Sequence, residues 1–311
     1  MDENNPCPVV VAVGHDPMES AVSFAANEAA RSGCGVHLVH IVHLLAQGPE
    51  VALVSEIDLE RAGRLALNHA LELARDQAGE GTPVTSELVV GGPVVPGIVA
   101  AAGDDATMIV LEHRDLSRAA RVVTRSVASG VAAHARVPVV SVPSSWAEGT
   151  YGRAPTVTVG VDVADRSGPV LRAAVAAARA RGAVLRVIHT WNLPAGYDDI
   201  IVSPEETTTW SDRANAEIQA ALDGLAEDLS GVPVQVAAQR GYAADVLLDA
   251  SRASDLLVMG RHDPLLPMGS HLGPIVRAVL REARCPVLLV DPERSGHRHL
   301  GRDRASGGVA V

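Results

Sequence analysis

Residues 260 to 276, GRHDPLLPMGSHLGPIV, put Gly260, Gly269 and Gly273 ahead of a helical pattern. Glycines in such a place let backbone N–H groups close on an anion. A helix that starts there adds the positive end of its dipole. The chemistry on offer is a phosphate cradle, and the residues between the glycines decide whether it still grips.

Other residue sets offer less. His37, His40 and His43 suggest metal ligation, but odd and even residues of a strand face opposite sides, so His40 cannot join the other two. His40 and His189 occupy matching places in an internal repeat, where packing or a contact at a ligand's edge is expected. Arg114, Arg118, Arg121 and Arg125 share one face if helical. They read as a solvated stripe paired with Glu112 and Asp115, or as an anion site built from side chains. Asp16 and Asp162 each follow a strand-like run. Cys285 precedes Pro286 at the start of an apolar strand, where an inert thiol is usual. There is no G-x-S-x-G elbow and no H-E-x-x-H. All 26 basic residues are arginine. With no lysine, a Walker A lysine and a pyridoxal Schiff base are both excluded.

Composition narrows the class. At 311 residues, 47% hydrophobic and 20% charged, the chain is expected to form two globular domains. Net charge is -11, with -9 in residues 1–150 and -2 in 151–311. Neither half has the basic excess of a nucleic-acid binder. No apolar run reaches the ~18 residues of a membrane span. The acidic start MDENNPCPVV is the wrong flank for a secretory signal. Three cysteines make no disulfide framework, so reduced thiols and a cytoplasmic location are expected.

The elements that must position the glycine loop occur twice. VVVAVGHDP (9–17) matches TVTVGVDVA (156–164), and VHLVHIV (36–42) matches LRVIHTW (185–191). TMIVLEHRD (107–115) matches DLLVMGRHD (255–263), and HARVPVVSVP (134–143) matches EARCPVLLVD (282–291). The offset stays between about 146 and 149 residues, which predicts a tandem duplication of a whole domain. The expected units are residues 1–143 and 156–292, with a linker at 144–155 and a mobile tail at 293–311. In the second copy, valine-rich strands are predicted near 156–161, 184–189, 233–238, 255–259 and 286–290, with helices between. Gly182 is a predicted C-cap, and Ser203-Pro204 and Ser55 predicted helix starts. The result is a pair of doubly wound, five-stranded parallel sheets of order 3-2-1-4-5. Ligands bind such sheets beyond the carboxyl ends of strands 1 and 4. That places Gly14-His15-Asp16 with Glu112–Ser126 at one mouth, and Gly160-Val161-Asp162 with Gly260–Pro274 at the other.

A strand ending V-G-x-D, a second ending near V-I-H, a glycine-spaced loop after strand four and a terminal C-P-V-L-L-V together resemble the universal stress protein family, in its tandem actinobacterial form. The resemblance implies a Rossmann-like sheet of the adenine nucleotide α-hydrolase-like type. Nucleotide-binding members of that family carry Gly, two residues, Gly, nine residues, then Gly and Ser or Thr. On the second copy the pattern runs from Gly260 to Gly273, with Asp263 at the second glycine and Pro274 at the hydroxyl position. A carboxylate ~4 Å from a phosphate, at an effective dielectric near 20, repels it by roughly 4 kcal/mol. The lost hydrogen bond costs about 1.5–3 kcal/mol. A micromolar affinity is only about 8 kcal/mol. Gly269-Ser270 could substitute an N–H and a hydroxyl, and Arg261 or His262 could offset the charge. In the first copy the matching residues are Glu112, Asp115, Arg125 and Ser126, with no glycine left.

The resemblance thus implies a ligand contacted by Val161, Asp162, Ile188, Met259, Gly260, Asp263, Gly269, Ser270, Gly273, Pro274 and Ile275. Asp162 would touch base or ribose, or merely cap its own loop. ATP is a candidate in the second copy only, with Mg2+ if it is bound. The expected function is a non-enzymatic nucleotide-sensing or partner-binding module in stress response. A slow ATPase on the same scaffold and a purely structural assembly module stay open. Expected partners are an adenine nucleotide, an unknown protein and a second copy of the chain, with strands 138–142 and 286–290 pairing within one chain. No nucleic acid or membrane is expected.

Overall fold

Valine-rich runs of four to eight residues are too short for buried helices and too apolar for a one-sided sheet, so they pack with helices on both faces. The computed structural model describes residues 7–16, 18–43, 56–113, 127–149, 153–162, 167–191, 204–225, 228–261 and 272–291. The first half runs β1 (Val9–Ala12), α1 (Glu19–Ser32), β2 (Val36–Val42), α2 (Glu56–Gln77), β3 (Val84–Val90), α3 (Val94–Ala102), β4 (Met108–His113), α4 (Val127–His134) and β5 (Val139–Pro143). The second repeats it as β6 (Thr156–Val161), α5 (Gly168–Arg181), β7 (Val184–Trp191), α6 (Pro204–Asp223), β8 (Val234–Arg240), α7 (Ala243–Ser251), β9 (Leu256–Gly260), α8 (Pro274–Glu282) and β10 (Val287–Val290).

Chain punctuation repeats as well. α1 stops at Gly33 and α5 at Gly182, both left-handed, with φ of 67° and 57°. A side chain at either position would be strained, so glycine ends the helix and turns the chain into the next strand. α6 begins at Pro204, as its sequence predicts. Ser203 and Ser55 lie outside the described residues.

The ten strands form one sheet, in the order β3-β2-β1-β4-β5-β10-β9-β6-β7-β8. Each half therefore carries the order 3-2-1-4-5. Strands within a half pair in parallel, and the halves meet where β5 and β10 pair antiparallel, Val139 opposite Leu289, Val140 opposite Leu288 and Ser141 opposite Val287. This is the intrachain pairing expected for strands 138–142 and 286–290. Val140 and Leu288 are themselves repeat-equivalent, so a pseudo-twofold axis passes beside them. Each face of the sheet carries a core that runs through both halves. Val9, Val140, Val157 and Leu288 belong to one core, Val10, Val139, Leu257 and Leu289 to the other.

Side chains bolt the seam. Arg181 of α5 forms an ion pair with Glu28 of α1, their side chains only 8% and 12% exposed. Part of the expected linker is fixed to the first half. Trp146 is buried and meets Phe24 edge-on at 5.5 Å, and its carbonyl accepts from Ser20 Oγ at 2.7 Å.

Leu289 is fully buried at the seam. Leu289→Ala should lower the unfolding free energy by about 2–5 kcal/mol in urea titrations. Because the cores are shared, fluorescence of Trp146 in one half and of Trp191 and Trp210 in the other should change in a single transition.

Candidate functional site

Antiparallel pairing at the seam sends the carboxyl ends of the two halves' strands to opposite edges of the sheet. Each half thus has its own mouth, between β1 and β4 or between β6 and β9.

In the second half, Gly160 pairs with Ile188 on one side and Met259 on the other. A Cβ at Gly160 would stand 3.1 Å from Leu247, so the α7 side chain packs onto the bare backbone. Val161, Ile188 and Met259 are 5%, 5% and 6% exposed, Val161 in one core and Ile188 and Met259 in the other. Asp162 is exposed at the rim of the mouth. Across from it β9 ends at Gly260. Gly273 caps α8 from an extended conformation, and Pro274 opens the helix with Ile275 exposed behind it. Arg277 N donates to Gly273 O at 3.1 Å, and the amides of Ile275 and Val276, earlier in the first turn, have no backbone acceptor among the described residues. Asp263, Gly269 and Ser270 lie outside the described residues, as does His262.

Arg261 does not face that mouth. Its guanidinium crosses the seam and donates to the carbonyls of Ala135 and Val137, the latter at 2.6 Å, at the end of α4 and the approach to β5. A cation at a helix C-terminus is well placed there, and the expected charge compensation from Arg261 is corrected accordingly.

The first mouth is built differently. His40 Nδ1 donates to the carbonyl of Val13 at 2.9 Å, and His189 Nδ1 to that of Val161 at 3.0 Å. Val13 therefore matches Val161. Gly14 stands where the second half has Asp162, and Asp16 lies two residues beyond. The V-G-x-D strings that equate Asp16 with Asp162 are out of step with the sheet. Glu112, paired with Val142, takes the place of Gly260, paired with Val290. Its Oε2 accepts from Ala21 N in the first turn of α1 at 3.1 Å. The first half thus supplies a carboxylate of its own where a helix N-terminus would attract an anion. Sequence reasoning counted Glu112 as a missing glycine and as a partner of the arginine stripe. The repeat alignment with Gly260 was its one signal.

Space remains on the β2 side of that mouth. A cavity of about 360 Å3 opens beside Val13, His15, Asp16 and His69, and one of about 180 Å3 lies over His40 and His43. The larger falls at the small end of the range for ligand clefts. The histidines are engaged separately. His37 bonds Thr85 Oγ1 at 2.8 Å, and His43 donates to Gly92 O at 2.8 Å. No group of three potential ligands is placed to hold a metal among the described residues. His40 is 2% exposed, stacks edge-on with His15 at 4.8 Å and faces Gly63 of α2, where a Cβ would come within 2.7 Å of its ring. Its Nε2 is buried without a partner. The stripe from Arg114 to Arg125 lies outside the described residues.

A family model described as the universal stress protein family matches residues 8–143 and again residues 154–291. The chain belongs to the universal stress protein family. Curated relatives repeat the tandem layout. Universal stress protein Rv1996 of Mycobacterium tuberculosis is 25% identical over 300 residues, covering 90% of this chain and 94% of its own. Universal stress protein Rv2005c of the same organism is 29% identical over 293 residues, covering 90% and 96%. Among solved structures, a universal stress protein from Archaeoglobus fulgidus shares the fold with a TM-score of 0.63 at 13% identity, over 93% of this chain and 98% of that one. No helix among the described residues is long and apolar enough to cross a membrane.

Burial, reinforced by His15, holds His40 below its ordinary value of 6.5 in this universal stress protein. The unfolded chain takes up that proton near pH 6.5, and the folded chain only at lower pH. The contribution is intact above pH 6.5 and is lost as pH falls through the folded value. Urea midpoints should therefore drop between pH 7 and pH 5, and His40→Gln should flatten that slope. An unchanged slope in the variant would assign the acid sensitivity elsewhere.

Proposed function

We propose that this universal stress protein is a non-catalytic sensing module with one nucleotide mouth per chain, in the second half. The reading rests on a single contrast. At the same sheet position the first half carries Glu112, its carboxylate on the first turn of α1, and the second carries Gly260, which has no side chain. An adenine nucleotide would place its phosphates between Gly260 and the first-turn amides of Ile275 and Val276. Its base or ribose would lie toward Asp162, at the strand ends that carry Val161, Ile188 and Met259. Mg2+ would then offset the charge that Asp263 adds. Pro274 leaves one donor fewer in that turn, so affinity is expected to be modest. No nucleophile paired with a base lines the mouth among the described residues, which favours sensing over turnover.

The test compares the wild type with Gly260→Glu, which installs the first half's residue in the second mouth. Calorimetry with ATP and Mg2+ should give a saturable signal for the wild type. The variant should bind at least ~100-fold more weakly, as expected for a carboxylate beside the phosphates. Equal affinities would overturn the assignment of the mouth. Release of phosphate above a buffer blank would overturn the non-catalytic reading.

A further inference from the structure

Two of the three cysteines meet at the amino edge of the first half's sheet, opposite to its mouth. Val9 pairs with Val36 in parallel, and Val9 N donates to Gly35 O at 2.8 Å. Cys7 and Cys34 each lie two residues before those paired strand starts. One hydroxyl touches both. Thr107 Oγ1 donates to Cys7 O at 2.8 Å and stands 3.4 Å from Cys34 Sγ. Thr107 precedes β4, and β1 lies between β2 and β4 in the sheet. Through that shared hydroxyl, Cys34 Sγ lies within about 6 Å of Cys7 O. Neighbouring strands are about 4.8 Å apart, inside the Cα separation a disulfide spans.

The two thiols differ in the way a redox pair requires. Cys7 is exposed and Cys34 half-buried. The backbone of Cys34 is held by α1, its N–H donating to Ala29 O at 3.0 Å. Cys285 is fully buried, and burial pushes its thiol well above the ordinary range, so it serves as an internal control.

We propose that Cys7 and Cys34 are a redox pair, which a hydroperoxide converts into an intrachain disulfide that staples the amino-terminal segment to the α1–β2 corner. The Cys7 thiolate attacks the terminal oxygen of the hydroperoxide. The O–O bond breaks, alcohol or water leaves, and the sulfur becomes a sulfenic acid. The Cys34 thiolate then attacks that sulfur and displaces hydroxide, which leaves as water. Two thiols and one hydroperoxide give one disulfide, one water and one alcohol or second water. A thiol reductant reverses the change.

Trypsin cuts after Arg31, Arg61 and Arg284, so the three cysteines fall on separate peptides. After hydrogen peroxide, mass spectrometry of the full chain should show the loss of two hydrogens. The digest should link peptide 1–31 to peptide 32–61 and leave Cys285 free. Non-reducing electrophoresis should show no covalent dimer. Closing the loop should raise the melting temperature by several degrees, and Cys7→Ser should abolish that rise. Free thiols after peroxide, Cys7 oxidised to sulfinic acid without a link, or a disulfide between chains would each overturn the proposal.

Discussion

The antiparallel contact between β5 and β10 is the constraint on which the molecule depends. Every other strand neighbour is parallel, and parallel sheets need both faces covered and their edges managed. Joining the two fifth strands closes one edge of each half and merges the cores on both faces. It also turns the halves end for end, so the two mouths open at opposite edges of the sheet. Arg181 with Glu28 on one face and Arg261 on the other hold that arrangement through long-range contacts. Such buried charges stabilise only while both partners are present, which ties the packing of each half to the position of the other.

With the mouths separated, the halves are free to diverge at the same sheet position. Glu112 and Gly260 differ by one side chain, yet the consequence is electrostatic and steric at once. In the first half the carboxylate of Glu112 accepts from Ala21 N at the N-terminus of α1. In the second half Gly260 has no side chain, and a Cβ there would meet Val170 of α5 at 3.1 Å. Nothing else in the frame has to change, because the strands, caps and histidine anchors at Val13 and Val161 are retained in both copies.

Local features were legible in the sequence. The strand runs, the glycine at 182 and the proline that starts α6 each follow from a few adjacent residues. The duplication was legible because it repeats such features at a nearly constant offset. Contacts between distant residues were not. Ala21 and Glu112 are 91 positions apart, and Arg261 reaches carbonyls more than 120 positions away. Trp146 sits in a stretch whose composition reads as linker, and only the presence of Phe24 and Ser20 beside it explains its burial. The pairing of Asp16 with Asp162 failed because a four-residue string was aligned without the hydrogen bonds that fix register. Its offset of 146, against 148 or 149 for the strands around it, was the available warning.

We propose that the duplicated frame takes one nucleotide per chain, at the mouth where Gly260 stands in place of Glu112. Counting nucleotides on the intact chain by native mass spectrometry, at saturating ATP and Mg2+, tests it most directly. One nucleotide per chain is the predicted result. Two per chain, or none, would contradict it.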